Sequence, residues 1–318
     1  MVEVYQERFT SSGSRQRRPW LRMFLVGLAL WVISVVATFS TGNPNLIPTI
    51  VLLGSFLVPV TFVTWAFERH ATGELTPGLV LQTFVVGGVL GVVAASLLEA
   101  YLLYPSAWLF VGVGLIEEAV KLAVLGLLTR HLVVKSVRDG MILGAAVGFG
   151  FAAFESAGYA FMALFTVDGL SLMQVVQTEV LRGLLAPVGH GLWTAILGGV
   201  LFSVSNREHF AITGRLVLAF LGVSLLHALW DSMHGIALYL TLLLTVGEQY
   251  QPTPHGWLVH PTSEQLALMP ITEWTGLAVI SALGIGWLVA EWRSAKHRPA
   301  AALRPSRMAW HVPIHHEA

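Results

Sequence analysis

Apolar stretches recur along the 318-residue chain, each near the roughly 20 residues that a helix needs to cross the hydrocarbon core of a bilayer. They can be drawn at roughly 21–39, 46–67, 79–103, 107–129, 141–165, 175–204, 216–239 and 274–292. Short turns such as Thr41-Gly42-Asn43-Pro44 separate most of them. A longer segment, 240–273, has turn residues and two histidines in its 249–261 part and little apolar periodicity. The first span is too long for a removable signal peptide and lacks a small-residue cleavage site, so it is expected to be a retained helix. The pattern predicts an all-α, polytopic transmembrane helix bundle of about eight spans. It divides the chain into a basic tail at 1–20, one membrane domain at 21–292 with an outer loop at 240–273, and a second tail at 293–318.

Composition agrees with a membrane class. Only 11% of residues are charged and 55% are hydrophobic, against about 25% charged in a soluble domain, and the mean hydropathy is +0.71. The chain has no cysteine, which removes disulfides, thiolate metal sites and a cysteine nucleophile. A net charge of zero gives no case for a nucleic-acid partner.

The distribution of charge says more than its sum. With eight spans the termini share one side. Arg8, Arg15, Arg17, Arg18, Arg22, Arg69, Arg130, Lys135, Arg138, Arg207, Arg215, Arg293, Lys296, Arg298, Arg304 and Arg307 all fall there, and the opposite loops hold no Lys or Arg. The positive-inside rule therefore places both termini in the cytoplasm. The two basic residues left, Lys121 and Arg182, lie within spans. Small residues at helical spacing, Gly87, Gly88 and Gly91 in one span and Gly144, Gly148 and Ala152 in another, permit close helix contact.

Ionisable groups inside spans are costly, so they face a protein interior or a wet cavity and mark function. Glu117 and Glu118 stand side by side with Lys121 one turn on, within reach of both. Two carboxylates and an ammonium in a poor dielectric supply a base and an acid at one point; an ion pair that merely staples helices would need one Glu. Glu155 follows Phe151 by one turn. Pro187 removes a backbone hydrogen bond just before His190. His227 and Asp231 share one helix face, where the Asp can orient the His or join it as a ligand. At about 1.5 Å per residue, Glu117, Glu118, Glu155, His190, His227 and Asp231 all fall near mid-membrane depth. Four spans thus contribute to one layer, as a water-filled active site would require.

Glu117-Glu118-x-x-Lys121, Phe151-x-x-x-Glu155, the Pro187–Thr194 stretch with His190, and His227-x-x-x-Asp231, in that order over residues 107–239, resemble the PrsW family of intramembrane proteases, relatives of the CAAX prenyl protease and bacteriocin-processing group. The wider group usually carries His where this chain has Glu155. The resemblance implies hydrolysis of a peptide bond in or near the bilayer, a membrane-anchored protein substrate, and a bacterial plasma membrane location. It assigns a catalytic set of Glu117, Glu118, Lys121, Glu155, His190, His227 and Asp231.

In that scheme Glu117, assisted by Glu118 and Glu155, activates a water, and His227, oriented by Asp231, stabilises the oxyanion or protonates the leaving amine. Lys121 and Arg182 balance charge. Glu155, His190 and His227 form a candidate site for Zn2+ with an open fourth position, and a glutamate-activated water without metal stands beside it. No Gly-x-Ser-x-Gly elbow and no His-Glu-x-x-His occurs. A proton- or ion-coupled transporter or channel would use similar residues, but the chain shows no inverted repeat. His311, His315 and His316 belong by composition to a tail.

Single cysteines placed at Asn43, Asp168 and Gln251 should label from outside the cell, and at Lys135, Asn206 and Lys296 only after permeabilisation. A reversal at any of the six sites breaks the topology drawn above.

Overall fold

The computed structural model describes residues 18–70, 75–132, 135–205, 209–246 and 261–297. Nine α-helices carry almost all of it: α1 (Pro19–Thr41), α2 (Ile47–His70), α3 (Pro77–Leu102), α4 (Leu109–Thr129), α5 (Val137–Ala163), α6 (Leu172–Leu185), α7 (His190–Val204), α8 (Gly214–Thr245) and α9 (Ser263–His297). A two-stranded hairpin, Phe165–Thr166 against Gly169–Leu170, joins α5 to α6. The histidines at 311, 315 and 316 and the 249–260 part of the loop lie outside the described residues.

In hydrocarbon every backbone group must find a partner inside the chain, and helices satisfy that locally. Their ends are closed by side chains. Thr76 accepts from Leu79 N, Ser136 from Asp139 N, Ser171 from Gln174 N and Thr213 from Leu216 N, so each start is fixed by a residue that satisfies an orphan N–H. Gly42, with φ +67°, closes α1 by donating to Thr38 O, a left-handed conformation that glycine adopts without strain.

Among the described residues, seven helical segments are long and apolar enough to cross a membrane, the broken α6–α7 pair counting as one. The 21-residue α4 falls outside that set; it carries Glu117, Glu118 and Lys121, and it packs between α3 and α8. Burial grades from the outside in. Only 6% of the apolar windows of α1 and α9 is buried, against 78% for α5. α5 is therefore the axial helix, and α7, α3 and α2 pack around it.

The sixth expected span is two helices rather than one kinked helix. A 3-10 turn at Ala186–Val188 and then Gly189 separate α6 from α7. Pro187 has no N–H to donate and cannot continue the α6 ladder, so α7 restarts with His190 in its first turn. At the other end of the bundle, α8 continues to Thr245 and α9 starts at Ser263, so both reach into the segment read as loop. Arg215 holds the Glu291 carboxylate with bonds of 2.7 and 2.6 Å. That clamp ties the start of α8 to the end of α9 on one face of the bundle.

The glycines of α5 decide how near α7 comes. A Cβ on Gly140, Gly144 or Gly148 would overlap the carbonyl oxygen of Gly198, Thr194 or His190 respectively, and one on Gly150 would overlap Phe84 O of α3. Backbones thus touch on both sides of α5, as small residues allow in membranes. Gly144→Ala and Gly148→Ala should each destabilise the protein by about 1–3 kcal/mol through overpacking, read as a lowered thermal midpoint in detergent. Gly126→Ala, which meets nothing within 4 Å, should stay within about 0.5 kcal/mol of the parent. Equal behaviour of the three variants would remove the close-packing argument.

Candidate active site

The seven residues singled out in the sequence lie in one network of hydrogen bonds and ion pairs, Asp231 joining it through His227 Nε2 at 3.2 Å. From α4, Lys121 Nζ reaches Glu117 Oε2 at 2.9 Å, Glu118 Oε1 at 2.8 Å and His190 Nδ1 of α7 at 2.8 Å. It also sits 4.1 Å above the Phe151 ring centroid, where the π face adds attraction for the cation. Glu118, Lys121 and His227 are fully buried and Glu117 is 5% exposed. One ammonium set between two carboxylates is what lets this much charge stand inside the bundle.

Each histidine has one nitrogen on a carboxylate. His227 Nδ1 lies 3.0 Å from Glu118 Oε1, and His190 Nε2 lies 3.1 Å from Glu155 Oε2. Glu155 is paired in turn with Arg182 of α6, whose Nε donates to Ser156 Oγ at 2.7 Å and whose guanidinium lies 4.3 Å over Tyr159. Such partners fix the tautomer, assigned here from the bonds: Nδ1–H on His227 and Nε2–H on His190. Trp193 packs its ring against His227 at 4.6 Å and holds it from the other side.

The two remaining ring nitrogens turn towards the same oxygen. Glu117 Oε2 is 3.7 Å from His190 Nδ1 and 3.6 Å from His227 Nε2. Glu117, His190 and His227 are a group whose ligand atoms all lie within 4.8 Å of one another. Tetrahedral zinc with ligands at about 2.0–2.1 Å sets them about 3.3 Å apart, so the set is slightly open yet of the right kind and number. Two features of the chain itself fit a cation there. His227 Nε2 is buried without an aligned hydrogen bond, although it faces Asp231 Oδ2 at 3.2 Å as well as Glu117; with the ring proton on Nδ1, acceptors face acceptors. Lys121 Nζ touches two of the three donors, so positive charge is already drawn to that point.

Glu155 lies on the far side of His190, on the nitrogen that points away from Glu117, and stands apart from that three-atom group. Glu118, brought by the packing of α4 on α8, is the carboxylate on His227 Nδ1, and Asp231 approaches Nε2. Thr194 Oγ1 is 3.5 Å from Glu118 Oε2.

A cavity of about 530 Å³ opens beside these groups, lined by Glu117, Glu155, Arg182, Asp231, Tyr159 and Glu99. Glu99 of α3 was not singled out in the sequence, because a carboxylate three residues from the end of a span reads as reaching for the headgroups. Glu179 was also missed: it is 3% exposed, accepts from Ser55 Oγ at 2.9 Å, and occupies room that Gly54 leaves on α2. Helical position alone does not reveal such a cross-helix partner.

Residues 75–250 match the model of a family described as PrsW family intramembrane metalloprotease. The chain is 26% identical over 189 residues, 57% of its own length and 82% of the relative's, to a protein named Protease PrsW from Halalkalibacterium halodurans. No solved structure matches it. The matched residues contain every group described above from α3 to α8.

Lys121→Met should cost about 3–5 kcal/mol, because it leaves two buried carboxylates without their cation. The measurement is the thermal midpoint in detergent; adding Glu118→Gln to the same chain should recover part of the loss. A Lys121→Met protein as stable as the parent would show that the ammonium is not what holds the carboxylates.

Proposed function

The chain belongs to the PrsW family of intramembrane metalloproteases, a multi-pass membrane peptidase, and from that premise we propose that it cleaves a membrane-protein substrate in the α3–α4–α5–α8 cavity with one divalent metal held by Glu117, His190 and His227. The observation that carries the reading is the convergence of His190 Nδ1, His227 Nε2 and Glu117 Oε2 while the opposite nitrogen of each ring rests on its own carboxylate. That arrangement of ligand and orienting carboxylate recurs in metal sites because it fixes the ring and raises its basicity. A divalent ion held there would supply Lewis-acid polarisation of a carbonyl and a water acidified to near neutrality.

The protein groups then divide the work. Glu118 and Glu155 hold the two rings in the tautomers that present lone pairs to the site. Arg182 keeps Glu155 in place. Lys121 compensates Glu117 and Glu118, and it competes with a metal for His190 Nδ1, from which it stands 2.8 Å. Asp231 is the carboxylate of the set that no Lys or Arg holds, and it lines the cavity; it is the group best placed to take the proton of the attacking water and pass it to the leaving amine. A peptide bond inside a membrane helix has both its polar groups hydrogen-bonded, so the substrate must unwind locally, and the polar wall of the cavity offers partners for the groups that unwinding frees.

Purified protein should carry about one divalent transition-metal ion per chain by elemental analysis, and His190→Ala and His227→Ala should each abolish that stoichiometry. In a cleavage assay on single-span membrane peptides, Glu117→Gln should lose activity by at least about a hundredfold and Asp231→Asn by about 10²–10⁴. Full-rate cleavage by demonstrably metal-free protein would overturn the metal assignment, and a fully active Glu117→Gln would overturn the site.

A further inference from the structure

We infer that Glu99 is a specificity-determining carboxylate, which accepts a basic side chain of the substrate near the scissile bond. The inference rests on the peptidase reading and adds to it a substrate class. Of the two cations near the cavity, Arg182 is in its wall and Lys121 lies behind Glu117, and both are already committed. Lys121 Nζ serves Glu117, Glu118 and His190, and Arg182 serves Glu155 and Ser156. Glu99 forms no ion pair among the described residues, and its Oε1 is buried without a hydrogen-bond partner. A carboxylate held in the bilayer is costly unless something pairs with it. One turn from the end of α3 the side chain could turn out to the headgroups; it lies instead in the cavity wall, on the helix face that also presents Val92 and Ser96. The described residues offer it no cation, and an arriving substrate can.

Depth fixes where that cation must sit. Glu99 is three residues from Leu102 at the end of α3, and Glu117 is eight residues from Leu109 at the start of α4. At about 1.5 Å per residue these lie about 4.5 and 12 Å below the same face, a difference of about 7.5 Å. An extended strand rises about 3.3 Å per residue, so Glu99 stands about two residues along the substrate from the bond at Glu117. The reach of a Lys or Arg side chain widens this to about two to four. The lining continues to that face through Phe110 and Met162, at the start of α4 and the end of α5. The preferred residue therefore lies on the side of the cleavage point nearer the α3–α4 connection.

The test uses the full-length protein and single-span peptides with a Leu/Ala segment, in which Lys, Leu or Glu is scanned through four positions on each side of the bond mapped by mass spectrometry. The readout is the ratio of kcat/KM for the Lys peptide to that for the Glu peptide. That ratio is internal to one enzyme preparation and independent of how much of it is folded. Wild type should favour Lys by at least about tenfold at one position, two to four residues to one side of the bond, as expected for a charge-assisted hydrogen bond. Glu99→Gln should bring the ratio near one, and Glu99→Lys should invert it. A flat ratio in wild type, or a Lys preference that survives Glu99→Gln, overturns the inference while leaving the peptidase reading intact. No cleavage of any peptide would remove both.

Discussion

Lys121 places one ammonium among two carboxylates and an imidazole at a depth where no bulk solvent shares the charge. Removing either sign leaves the other stranded, so α4 can carry Glu117 and Glu118 only with the cation in place. The remaining groups of the site are read outwards from that knot. Glu118 reaches His227 on α8, Glu117 faces both histidines, and His190 passes the network to Glu155 and Arg182. Four helices and the α6 half-helix are thereby tied to one another by polar bonds.

Polar bonds of that length demand that the helices first be close, and the glycines supply the room. α7 lies against α5 because Gly140, Gly144 and Gly148 present no side chain to it, and His190 starts α7 at that contact. The break at Pro187 serves the same end: a continuous sixth helix would carry His190 in mid-ladder, whereas the restart puts it in a first turn. The outer helices α1 and α9 contribute little burial. Their exposed faces are apolar, as lipid contact requires.

Much of this was legible in the chain. Runs of apolar residues at membrane length gave the helical class, since hydrocarbon permits few other solutions, and the charged residues inside those runs stood out because their solvation there is so poor. Glu117, Glu118, Lys121, His190 and His227 were found by that rule, and their i,i+3 and i,i+4 spacing already joined Lys121 to both glutamates. Glu99 and Glu179 escaped it. Glu99 was close enough to a span end to pass for an interfacial group, and Glu179 is explained only by Ser55 and the gap at Gly54 on another helix.

The sequence by itself determined which residues must avoid lipid and on which helices they ride, because hydropathy and helical period act along the chain. It could not decide which nitrogen of a histidine meets which carboxylate. Glu155 and Glu117 are equally plausible partners of His190 on paper; α4 and α5 reach opposite edges of the ring, so that Glu117 shares the open side with His227 while Glu155, backed by Arg182 of α6, closes the other. Asp231, one turn from His227, lies 3.2 Å from its Nε2 as the spacing suggests, and the packing of α4 on α8 adds Glu118 on Nδ1, a partner that the chain spacing does not reveal. Such choices depend on the rotation and separation of neighbouring helices. Those are set by side chains distant in sequence, and only the packed bundle fixes them.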